Sequence, residues 1–172
     1  MNNIILIGMR ATGKSTIGAA IAKKISYHFC DTDKLIEDRC GTSIAQCVAD
    51  KGWEAFRSVE ADVVRDVAEQ ERTVIATGGG VVLSEDNVDA LRASGKIFLL
   101  TAPLATLARR IEESSDTHRP ALTDAHSVLD DLTQTWQERE QLYHAAAHEV
   151  IDTENFATLE DVAAHIASSV KE

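Results

Sequence analysis

The sequence predicts an α/β fold of three layers, in which helices cover both faces of a five-stranded parallel sheet. Three observations carry that expectation. Short apolar runs recur at "NIILIG", "YHFCD", "TVIATG", "KIFLLT" and "HEVID", and such runs suit strands buried on both faces. Segments with apolar residues at helical spacing lie between them. The chain of 172 residues suits one domain, residues 1–172, with a core that needs no disulfide or metal. In sheets of this kind ligands bind outside the carboxyl ends of the strands, so chemistry is sought where strands end.

The first run leads directly into "GMRATGKST", which fits G-x-x-x-x-G-K-[ST] at Gly8, Gly13, Lys14 and Ser15, with Thr16 following. A strand before the motif and a helix after it, here Lys14 to Ile25, are the context it requires. The glycines let backbone N–H groups turn around phosphate oxygens, and the helix N-terminus adds partial positive charge. Lys14 reaches the outer phosphates, and the Ser15 hydroxyl can ligate Mg²⁺. A plain glycine turn is the bland alternative, and a dinucleotide fingerprint is refused because G-x-G-x-x-G is absent.

The second run ends at Asp31, and residues 32 to 52 hold helical pieces without a strand. Such enzymes usually take a metal-side carboxylate from a strand ending in Asp, yet "TVIATGGG" ends in Thr77 and glycines. Two strands do end in Asp, at Asp31 and at Asp152. Asp31 is favoured because the second strand of such sheets lies near the phosphate loop and the last strand belongs to the far side. In an extended stretch Asp31 and Asp33 face the same way and can look into one cleft. Alternatively Thr32 or Asp33 caps the next helix; a cap and a ligand are compatible.

The next helix, Trp53 to Ala68, contains "GWEAFRSVE", with Arg57 and Glu60 at i,i+3. Alone this reads as an exposed ion pair worth about 0–1 kcal/mol. "TGGG", Thr77 to Gly80, carries more glycine than a turn needs and suits close approach of backbone to a ligand. Helices follow at Asp86 to Ala93 and, after "KIFLLT", at Leu104 to Glu112. The polar stretch "EESSDTHRPALTDAHS" holds Arg119 and is expected to close over the sheet's functional edge. A helix from Val128 to Ala147 places Arg139 one turn before Tyr143; "HEVID" and a helix from Thr158 to Val170 complete the pattern. Each polar block is weak alone. Together, arginines for anionic groups, an aspartate for a hydroxyl and bare backbone describe a small hydroxylated carboxylic acid as acceptor.

Composition narrows the partners. A net charge of −11 repels phosphate backbones and anionic lipid, so neither nucleic acid nor a membrane surface is expected. Cys30, Cys40 and Cys47 lack C-x-x-C spacing and read as reduced thiols, which favours the cytoplasm. No secretory leader is evident and no apolar run approaches the ~20 residues that span a bilayer, so a soluble, unprocessed chain is expected.

The P-loop at Gly8 to Ser15, "DTD" at Asp31 to Asp33, "GWEAFRSVE", "TGGG", "RPAL" and "ERxxLY" ending at Tyr143, in that order, resemble shikimate kinase over roughly residues 4 to 152. The resemblance implies a nucleoside-monophosphate-kinase-like P-loop fold with a helical substrate-binding insertion, residues 32–60, and a mobile lid, residues 111–126. It implies transfer of the ATP γ-phosphoryl to the 3-hydroxyl of shikimate, on the route to chorismate and aromatic amino acids, by a monomer. On this basis Asp33, Arg57, Gly79, Gly80 and Arg139 hold shikimate, the two arginines on its carboxylate. Gly8, Gly13, Lys14, Ser15 and Thr16 serve the nucleotide, and Ser15 and Asp31 serve Mg²⁺, Asp31 through water. Arg110 flanks adenine, and Arg119 is the lid arginine on the transferring phosphate. Lys14, Asp33 and Arg119 form the catalytic set, with Asp33 as orienting group or general base. Two departures stand out: Ala11 occupies a position where the family's P-loop usually has glycine, and the lid is slightly lengthened. Gluconate kinases and nucleoside monophosphate kinases share the P-loop, so the acceptor blocks separate them. A GTP-dependent switch is disfavoured because N-K-x-D is absent.

Overall fold

The computed structural model describes residues 2–114 and 127–170. Five strands, β1 (Asn3–Ile7), β2 (His28–Asp31), β3 (Thr73–Ala76), β4 (Gly95–Thr101) and β5 (Glu149–Asp152), form one sheet in the order β2-β3-β1-β4-β5. Every neighbouring pair is parallel. The central strand β1 is buried along its whole length, and its side chains alternate between two cores. Ile4 and Leu6 join Ile17 and Ile21 of α1 (Lys14–Ile25) and Val162 and Ile166 of α7 (Leu159–Ser169). Ile5 and Ile7 join the opposite core, with residues of α3 (Ile44–Ala68), α4 (Glu85–Ser94), α5 (Leu104–Glu113) and α6 (Val128–Ala146). This is the three-layer arrangement that period-two alternation on a doubly covered strand produces.

Helix boundaries follow local chemistry. Helix α1 starts at Lys14 because Gly13 takes φ 93° and turns the chain into it, and it stops at Ser26, whose φ of 57° lies in the left-handed region. Lys23 and Lys24 sit in its last turn, where the helix dipole favours cations. The helices expected from Asp86, Leu104, Val128 and Thr158 all lie within one residue of their expected ends. Residues 32–52 are helical, as α2 (Thr32–Cys40) and the first part of α3. Gly52, at φ 83° and ψ 168°, kinks α3, which explains why helical periodicity becomes legible only from Trp53. The three cysteines are free thiols, and burial pushes those of Cys30 and Cys40 upward. Among the described residues no helix is long and apolar enough to cross a membrane.

The carboxyl ends of β1, β2 and β3 lead into the phosphate loop, α2 and the Thr77–Gly80 turn. The sheet therefore delivers three separate sequence blocks to one edge.

Candidate active site

The phosphate loop leaves β1 through Gly8, at φ 141°. A Cβ there would collide with the Leu100 carbonyl of β4, so bare backbone is required. Ala11 also takes positive φ, 64°; the residue that departs from the glycine pattern sits in the conformation that favours glycine. Thr12 Oγ1 donates to the Met9 carbonyl at 2.8 Å and braces the turn. The N-terminus of α1 has no side-chain cap and no acid in its first turn, so its orphan N–H groups are available to an anion. Lys14 is buried and donates to the carbonyls of Gly8 at 2.9 Å and Met9 at 2.8 Å, held against its own loop. Ser15 and Thr16 are exposed beside it. From α5, Arg110 donates to the Ala11 carbonyl at 3.1 Å, which places it against the same loop.

Asp31 ends β2, and its two carboxylate oxygens make separate contacts. Its Oδ1 accepts from the backbone N–H of Asp33 at 3.0 Å and of Lys34 at 3.4 Å, capping α2. The cap is thus Asp31, in place of Thr32 or Asp33. Its Oδ2 accepts from Ser15 Oγ at 2.5 Å, so carboxylate and P-loop hydroxyl meet. Asp152 caps a short 3-10 turn, accepting from the Glu154 N–H at 3.0 Å. Strand order alone does not separate these two aspartates, since β2 and β5 are both edge strands one strand removed from β1. The Ser15 contact does. A hydroxyl paired with a carboxylate is an oxygen-only donor set, and it fits a hard cation that keeps most of its waters.

Asp33 lies in the first turn of α2 instead of continuing the strand, yet it reaches the neighbouring cleft. A cavity of about 590 Å³, its open mouth included, is lined by Asp33, Arg57, Gly79, Gly80 and Arg139, with Met9 and Arg10 of the phosphate loop in the same wall. Residues from five stretches of sequence therefore converge on one pocket beside the P-loop.

Its walls are built by burial and charge. Arg57 is held by Glu60 at 2.7 Å and by the rings of Trp53 and Phe56, 5.5 and 5.1 Å from its guanidinium carbon. Glu60 is only 1% exposed, so this pair is far from the solvated helix face expected of it in isolation. Burial pushes the Glu60 carboxyl up; the Arg57 guanidinium, through charge and hydrogen bond, opposes that shift, Asp33 adds to it, and Arg139 lowers it. The glycines have separate reasons. A Cβ on Gly78 would lie 2.6 Å from Asp33 Oδ1, and one on Gly80 would lie 2.7 Å from the Arg57 guanidinium carbon. The Gly79 carbonyl accepts from Tyr143 Oη at 2.5 Å and from Arg139 at 3.3 Å. Burial drives the Tyr143 hydroxyl up to about 12, against the opposing pull of Arg139, so it stays a donor.

Sequence reasoning missed three participants. Arg10 pairs with Asp131 at 2.5 Å, tying the phosphate loop to α6 across 121 positions, a separation no local pattern reveals. Thr135 lines the same pocket one turn before Arg139, and its i,i+4 relation to Arg139 was the available signal. Arg119 and most of the expected lid lie outside the described residues.

The family model described as shikimate kinase matches residues 10–171. A shikimate kinase of Nitratidesulfovibrio vulgaris is 41% identical over 169 residues, covering 96% of each chain. A shikimate kinase 2 of Enterobacter sp. is 38% identical, covering 98% of this chain and 95% of the relative. Among solved structures, the shikimate kinase of Acinetobacter baumannii in complex with shikimate superposes with a TM-score of 0.91 at 29% identity, over 99% of this chain and 93% of that one.

Proposed function

The chain belongs to the shikimate kinase family, and on that premise we propose which of its residues perform ATP-dependent phosphorylation of shikimate at the 3-hydroxyl. The observation that carries the reading is the convergence of Asp33, Arg57, Gly79, Gly80 and Arg139 on one cavity that shares Met9 and Arg10 with the phosphate loop. Arg57 and Arg139 are two guanidinium groups suited to one carboxylate. The bare backbone at Gly79 and Gly80 leaves room for a ring to approach. Asp33 meets the acceptor hydroxyl and orients it or takes its proton as phosphoryl transfer proceeds.

On the nucleotide side, Gly8, Gly13, Ser15 and Thr16 present backbone N–H groups to the phosphates, Lys14 neutralises the charge that develops on the equatorial oxygens, and Arg110 flanks the base. Ser15 and Asp31 would hold Mg²⁺, which when bound neutralises phosphate charge. Arg119, in "RPAL", completes the charge set on the transferring group. Residues 32–60 act as the substrate-binding region and residues 111–126 as the lid of a single domain, in a monomer working in the cytoplasm on a small-molecule substrate, away from nucleic acid and membranes. Phosphoryl transfer needs little covalent help from protein, so alignment and electrostatics carry the rate.

The test is ADP release with shikimate, quinate, gluconate and nucleoside monophosphates offered in parallel. Turnover with shikimate well above the others is expected. Activity on another acceptor with none on shikimate would overturn the substrate.

A further inference from the structure

Buried polar groups in folded proteins almost always find a hydrogen-bond partner, and each exception calls for an explanation, a bound ligand, ion or water among them. Two such exceptions lie on one face of α6. Thr135 Oγ1 and Arg139 Nε are buried side-chain atoms without a hydrogen-bond partner among the described residues. They are one helical turn apart, the residues are 1% and 8% exposed, and both line the acceptor cavity.

The Thr135 hydroxyl has an ordinary way to satisfy itself that it does not use. A threonine inside a helix usually donates to the carbonyl four residues back. Thr133, two positions earlier on α6, does so, with Oγ1 2.7 Å from the Leu129 carbonyl. Thr135 makes no such bond. A buried hydroxyl with no protein partner costs the free protein stability, whereas valine has nearly the same shape without that cost.

We propose that Thr135 is a specificity-determining residue of the acceptor site, its hydroxyl donating to the carboxylate that Arg139 and Arg57 hold. The inference rests on the shikimate reading above. Arg139 Nε–H and Thr135 Oγ–H are the donors α6 offers, Arg57 on α3 supplies charge from the other wall, and a carboxylate has enough lone pairs to accept from all three. A neutral group at the same place would leave Glu60 as the anion facing both guanidinium groups.

The test compares Thr135→Val, which removes the hydroxyl at constant shape, with Thr135→Ser, which keeps it. Thr135→Val is expected to raise the KM for shikimate about tenfold, with the KM for ATP changed less than about twofold, while Thr135→Ser stays near the wild type. The melting temperature of unliganded Thr135→Val is expected to rise, because an unpaired buried hydroxyl is gone. The methyl ester of shikimate locates the contact: wild type and Thr135→Val should differ on it by less than about threefold. An unchanged KM in Thr135→Val overturns the proposal. So does a lowered melting temperature, which would reveal a structural partner, and so does an equal loss on acid and ester, which would put the hydroxyl on the ring. Failure of the wild type to phosphorylate shikimate would instead sink the substrate reading, so the two failures are distinguishable.

Discussion

Replacing Gly80 with alanine tests the acceptor site through space alone. Gly80 has φ −95° and ψ 1°, a conformation alanine adopts without strain comparable to positive φ. The new Cβ would lie 2.7 Å from the Arg57 guanidinium carbon, against about 3.5–4.0 Å for carbon atoms at rest, so the guanidinium must retreat by roughly 1 Å. Arg57 is the flexible partner and gives way, which leaves the fold intact. Its retreat strains the 2.7 Å bond to Glu60 and the contacts with Trp53 and Phe56. The cost to the free protein is about 1 kcal/mol, or roughly 2–4 °C in melting temperature. Losing a charge-assisted hydrogen bond to the substrate carboxylate costs about 1.5–3 kcal/mol, a rise in the shikimate KM of roughly 10- to 150-fold. The assay is ADP release with shikimate and ATP varied separately. Gly80→Ala should raise the shikimate KM and spare the ATP KM, and in an Arg57→Ala background it should add less than about 0.5 kcal/mol. An unchanged shikimate KM, or an equal rise for ATP, would refute the assignment of Arg57 to the acceptor carboxylate.

Other consequences are as direct. Asp33→Asn should lower turnover about 10²- to 10⁴-fold with nucleotide affinity preserved, and near-normal turnover would take Asp33 out of the chemistry. Ala11→Gly relieves a left-handed alanine and should raise unfolding free energy by about 0.5–1 kcal/mol in denaturant titrations; a loss would mean the loop gains from the methyl group. The raised Glu60 carboxyl gives a signed pH effect. Between its ordinary value of 4.5 and its raised native value, the folded state binds the extra proton, so the stability Glu60 contributes is present at the acid end and falls as pH rises. Melting curves of Glu60→Gln minus wild type should therefore climb with pH through that window, and a difference that declines would reverse the assignment.

How much of this the sequence revealed depends on the range of the interactions involved. Local chemistry was readable: Gly13 and Lys14 fixed the start of α1, and the inner strands β1, β3 and β4 announced themselves as apolar runs, whereas the edge strands β2 and β5, read the same way, are partly exposed because each has a neighbour on one side only. Gly52 broke the periodicity between the two parts of α3 because one residue at positive φ turns the helix out of register. The burial of Glu60 was illegible, since an i,i+3 pair looks the same on a wet face and a dry one; the Asp33 charge that acts on it and the Gly78 backbone beside it come from elsewhere in the chain. Arg10 and Asp131 illustrate the limit, an ion pair between a loop and a helix that share no local pattern. Asp31 was legible as one of two candidates on the metal side, with Asp152 the other; the strand position that favoured it does not separate them, and its double use as cap and Ser15 partner required the fold.

The central claim is that a phosphoryl group crosses from the P-loop to an alcohol bound in the adjoining cavity. Phosphorus NMR of the protein with ATP, Mg²⁺ and shikimate measures that transfer directly. A new phosphomonoester signal, assigned to the 3-position of shikimate and growing in step with ADP, is the expected result. ADP accumulating with free phosphate while shikimate stays unmodified would contradict it.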